Sequence, residues 1–75
     1  MTSAETLDRE FLGTRARLIQ IAAVLDRIDR AEGAEQVDQS ERMTQIREAI
    51  EVLGVTATDD RAARIQMIFS LPADE

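Results

Sequence analysis

Between Leu7 and Ile28, apolar side chains return in alternating steps of three and four residues: Leu7, Phe11, Leu18, Ile21, Leu25 and Ile28, with Thr14 filling the gap. This is the a/d seam of a heptad-patterned helix. The pattern predicts a first helix over about residues 4 to 32. Thr2 or Ser3 offers a capping oxygen at its start, Glu5 suits the positive end of its dipole, and Gly33 supplies a stop. Gly13 is the weakest position inside it, costing about 1 kcal/mol relative to alanine.

Residues 34 to 38 read as a loop, after which Asp38 and Glu41 stand three apart as a capping box ahead of Met43, Ile46, Ile50 and Leu53. A second helix follows over about 39 to 53, with Gly54 and Val55 fitting a stop in which glycine turns left-handed. Thr58 offers the next cap, Asp59 and Asp60 suit the first turn, and Ala62, Ile65, Ile68 and Phe69 form an apolar face. That third helix is expected over about 58 to 70, with Pro72 preventing continuation and Ala73, Asp74 and Glu75 left as a tail. No stretch alternates with period two. The fold class expected is all-α: one long N-terminal helix plus a helical hairpin in a single small domain over residues 1–75.

Size makes the long helix a problem. At 1.5 Å per residue it spans about 43 Å, whereas the compact-chain scaling gives a globule roughly 29 Å across. The helix also carries a second apolar stripe, Leu12, Ala16, Ile19 and Ala23, centred about 160° around from the first. Two flanks require two neighbours. The hairpin serves as one, and the other is expected to be a second copy of the chain in a homodimeric bundle, through Leu7, Phe11, Leu12, Ile19 and Ala23. In the competing arrangement the helix bends at Gly13 and one subunit covers both stripes.

Composition narrows the chemistry. The 75 residues include 9 arginines, no lysine and 15 acids, for a formal charge of −6, which repels nucleic acid and anionic membrane surfaces. The arginine-only usage points to GC-rich, bacterial coding. Cysteine and histidine are absent, so there is no disulfide and the usual soft metal ligands are missing. Without His, Cys, Lys or Tyr, the common catalytic bases and activated nucleophiles are missing too, and no enzymatic activity is expected. The N-terminus lacks the basic opening and apolar core of a secretory signal, and no run approaches the length of a membrane span, so the expectation is cytoplasmic.

The charged end of the first helix offers the one candidate site. Arg15, Asp26 and Asp29 fall in or beside the groove between the two apolar stripes and could form a polar notch, fixing register or holding a small anion. The plainer reading is solvated helix-end charges and ion pairs between subunits. Asp26, Asp29, Glu32 and Glu35 recur every three residues, but an EF-hand loop starting at Asp26 would place Ile28 and Arg30 where oxygen ligands belong. Phe11 and Phe69 read as core, and Met67 with Leu71 as an exposed adaptable patch. The function these features support is a non-catalytic helical self-association or protein–protein interaction module, needing no cofactor and no metal. A basic protein is a further candidate partner for its acidic face. The alternative is a small-molecule or metal-binding domain that uses the acidic and arginine groove.

Overall fold

The computed structural model describes residues 1–70 and shows α1 (Ser3–Arg30), α2 (Ala34–Val37), α3 (Glu41–Leu53) and α4 (Arg61–Ser70). There is no strand among the described residues, so the all-α class holds. Leu71, Pro72 and the tail expected after them lie outside the described residues. The chain divides into two units, Met1–Ala34 and Glu35–Glu75.

The first unit is essentially α1. It begins where a full capping box forms: Thr2 Oγ1 accepts from the Glu5 N–H at 3.1 Å, and the Thr2 N–H donates to Glu5 Oε1 at 2.8 Å. Two orphan amides are thus satisfied. The helix runs unbroken through Gly13 for 28 residues, so the bend allowed for there does not occur. It ends two residues earlier than the periodicity implies, because Ala31 turns extended (ψ 159°) before Gly33 takes up φ 84°. Arg27 and Arg30 occupy the last turn, where cations suit the negative end of the dipole.

Gly13 sits in ordinary helix, and a Cβ added there would meet only Arg17 Nη1, at 3.6 Å. Gly13→Ala is therefore expected to stabilise α1 by about 0.5–1 kcal/mol through reduced backbone entropy in the unfolded chain. A rise in thermal midpoint followed by far-UV circular dichroism checks this, and a fall would mean that the glycine is needed for close approach.

The second unit is built around the α3 and α4 pair. The segment expected to be a loop after Gly33 contains the single turn α2, whose Val37 carbonyl accepts from the Ser40 N–H at 2.8 Å. The cap of α3 is Ser40, whose Oγ accepts from the Met43 N–H at 3.1 Å, and the helix starts two residues later than expected. Asp38 does not form the expected capping box. Its carbonyl and carboxylate both face Arg47, with the carbonyl accepting from Nη1 at 3.1 Å. Arg47 thereby ties the segment ahead of the helix to its second turn.

Only Met43 and Ala49 are buried among the described residues, with Ile46, Val52, Ile65 and Ile68 half-buried beside them. The inward face of α3 thus follows 43, 46, 49 and 52 rather than the expected 43, 46, 50 and 53, and Ile50 and Leu53 stay exposed. Ala49 is the small residue on that face, and α3 packs against α4. On α4, Ile65 and Ile68 face inward but Phe69 is half-exposed, contrary to its reading as core. Gln45 Nε2 donates to the Ile68 carbonyl at 3.3 Å, satisfying a group that the helix end would leave free.

The connection between them departs most from expectation. Gly54 ends α3 with φ −83°, right-handed, and the left-handed residue is Ala57, at φ 58°. Thr58 does not cap α4. Its hydroxyl donates to Asp60 Oδ1 at 2.6 Å, and the Asp60 carbonyl accepts the first helical bond, from the Arg64 N–H at 3.0 Å. Arg61 fixes this turn, donating through Nε to the Val55 carbonyl at 2.8 Å, through Nη2 to the same oxygen, and through Nη1 to the Thr58 carbonyl at 3.4 Å. Arg61→Met keeps the aliphatic stem and removes these donors. It is expected to cost about 1–2 kcal/mol in urea unfolding, and an unchanged midpoint would show that water replaces the guanidinium freely.

Candidate functional site: the exposed face of α1

No residue of α1 is buried. Leu7, Phe11, Leu12, Leu18, Ile19, Ile21 and Val24 each keep between 42% and 74% of their surface in solvent. A folded chain tolerates scattered exposed leucines, but Leu7, Phe11, Leu18 and Ile21 on one stripe, with Val24 beside it, and Leu12 and Ile19 on the other form an exposed apolar patch that covers two flanks of one helix. Its N-terminal part is a shallow groove lined by Leu7, Phe11, Thr14, Arg15, Leu18 and Ile19. Toward the C-terminal end Ala23, Leu25 and Ile28 are half-buried.

The helix places the candidate residues as follows. Leu7, Phe11, Leu12 and Ile19 of the expected interface all lie on the exposed patch, and Ala23 lies at its far edge, partly covered. Arg15 borders the groove, but on an unbroken helix its Cα lies eleven residues from Asp26 and fourteen from Asp29. At 1.5 Å per residue these are separations of about 16 and 21 Å. The three cannot meet within one chain, so the notch for an anion does not form there. Among the described residues no three acids are placed to hold a metal ion, and Arg15, Asp26 and Asp29 enter none of the three ion pairs found, Arg9–Glu10, Arg47–Asp38 and Arg64–Asp60.

The heptad frame gives the flanking charges their positions. With Phe11, Leu18 and Leu25 at a and Leu7, Thr14, Ile21 and Ile28 at d, the e positions are Asp8, Arg15, Ala22 and Asp29. The g positions are Ser3, Glu10, Arg17 and Val24. Sequence periodicity passed over Glu10, yet it is the g residue five ahead of Arg15, a spacing visible once the frame is set. Its carboxylate lies 3.6 Å from Arg9 Nε in a pair that is more than half exposed on both sides, an association worth little.

Charge is unevenly shared. In α1 the five arginines Arg9, Arg15, Arg17, Arg27 and Arg30 balance the five acids Glu5, Asp8, Glu10, Asp26 and Asp29. The remaining four arginines and ten acids lie in residues 31–75, which therefore carry the whole −6. No helix among the described residues is long and apolar enough to cross a membrane. Comparison with protein-family models, curated proteins and solved structures gives no match for this chain.

Proposed function

We propose that the protein is a self-association module in which α1 packs against α1 of a second copy, forming a homodimeric helical bundle with no catalytic role of its own. The observation that carries this reading is the exposure of Leu7, Phe11, Leu18 and Ile21 on the seam of a 28-residue helix that has no buried residue. Fully burying a Leu, Ile, Val or Phe side chain is worth roughly 1.5–3 kcal/mol, so covering the exposed half of the five on the seam side, Leu7, Phe11, Leu18, Ile21 and Val24, contributes about 4–8 kcal/mol per chain. A micromolar pair needs about 8 kcal/mol net. Two chains supply enough to leave a margin against the lost freedom of association.

Electrostatics supports the same choice of partner. A chain of charge −6 would ordinarily repel its own copy, but α1 is neutral, so the acidic excess stays outside the contact. Stoichiometry is set by two opposed features. Leucine at a with isoleucine at d, as in Leu18, Ile21, Leu25 and Ile28, favours more than two strands. More strands would also bury the flanking e and g positions, and five of those eight are charged: Asp8, Glu10, Arg15, Arg17 and Asp29. Desolvating five charges per chain outweighs the shape preference of four aliphatic residues, which leaves two strands.

Most of the stability of a helix in a protein comes from packing of its apolar face, and no residue of α1 is buried. Far-UV ellipticity at 222 nm is therefore expected to weaken on dilution from the high micromolar to the nanomolar range, with a thermal midpoint that rises with protein concentration. Helicity and midpoint that stay constant over that range would contradict the proposal.

A further inference from the structure

We infer that the two copies of α1 pack parallel and in register, with Glu10 of each copy paired to Arg15 of the other; this rests on the self-association proposed above. The argument compares the registers that the seam allows. In a parallel pair each g residue faces the e residue five positions on in the partner helix. Ser3 then faces Asp8, Arg17 faces Ala22 and Val24 faces Asp29, so Glu10 against Arg15 is the only charged pair, and its signs are opposite. Twofold symmetry makes it occur twice. Arg15 is in no ion pair among the described residues and borders the groove, and Glu10 is held only by the exposed contact to Arg9.

Antiparallel registers bring e against e and g against g. With the two helices overlapping along their whole length, Arg15 meets Arg15 and Arg17 meets Arg17 about the twofold axis. Sliding one heptad in one direction sets Asp8 against Asp29; in the other it pairs Asp8 with Arg15 and Glu10 with Arg17 but leaves Leu25 and Ile28 without partners. Sliding two heptads does pair Arg15 with Asp29, the combination the single chain cannot make, but it leaves Leu7 and Phe11 without partners. Only the parallel arrangement keeps every seam layer and no like-charge contact. It brings two N-termini together, where Glu5 and Asp8 of each copy offset the positive dipole ends.

The chain contains no cysteine, so single cysteines report orientation directly. Ala4→Cys and Ile28→Cys variants of the full chain, mixed and mildly oxidised, are expected to give disulfide dimers of each variant with itself. Mixed Ala4–Ile28 species should be minor. Separately, Glu10→Arg and Arg15→Glu are each expected to raise the dimer Kd about tenfold, and the double reversal should return it to within about threefold of the parent. A dominant mixed disulfide, or a double variant no tighter than the singles, would overturn the parallel register while leaving self-association standing. An unmodified chain that sediments as a monomer would overturn both.

Discussion

Leu18→Asp is expected to turn the protein into a monomer at concentrations where the parent chain is paired. Leu18 occupies a central a position and lies on the exposed groove of α1. In the pair it would face its own copy, so the substitution removes two leucines from the interface and sets two carboxylates against each other out of water. Losing that burial and desolvating the charges together cost more than about 4 kcal/mol, raising Kd at least about a thousandfold. Sedimentation velocity reads the change as a drop in mass. Because Leu18 belongs to the first unit, amide protection in α3 and α4 should be unaffected, which separates lost association from general unfolding. A variant that remains paired would remove this face from the interface.

The second large effect concerns the other unit. Met43→Ala empties one of the two buried positions among the described residues, and truncating a buried methionine typically costs about 2–5 kcal/mol. A unit of some forty residues without disulfide or metal has only a few kcal/mol to lose. The variant is therefore expected to lose slow hydrogen exchange throughout α3 and α4 at 25 °C, whereas Ile50→Ala, on the exposed side of α3, should lose little. Equal effects at the two positions would mean that the inward face of α3 has been misassigned.

How far these features could be read from the residues differs by level. The existence and type of the three main helices follow from spacing alone, because the seam from Leu7 to Ile28 fits no other period. Ends and turns were less legible, since the chain offers more signals than it uses. Asp38 with Glu41 has the spacing of a capping box, but it is Ser40 Oγ that accepts from the Met43 N–H. Gly54 looked like the left-handed residue, yet glycine permits that conformation without requiring it, and the reversal falls at Ala57, where three donors of Arg61 hold the neighbouring carbonyls. α2 reads as loop in the sequence because a single turn carries no period.

The candidate site divides in the same way. Leu7, Phe11, Leu12 and Ile19 are legible as apolar positions because hydrophobic periodicity marks them, and the structure leaves them exposed. Arg15, Asp26 and Asp29 share one side of α1 in angle, but the axial rise keeps Arg15 about 16 and 21 Å from the two acids on a continuous helix. Glu10 stands outside the apolar periodicity, and only its g position, five ahead of Arg15 at e, points to it.

The central claim is that α1 is covered by its own copy. Sedimentation equilibrium of the unmodified chain at tens of micromolar tests it most directly: the account predicts a mass of twice the 8.4 kDa chain, falling toward the single-chain value on dilution. A mass that stays at 8.4 kDa across the whole range would contradict it.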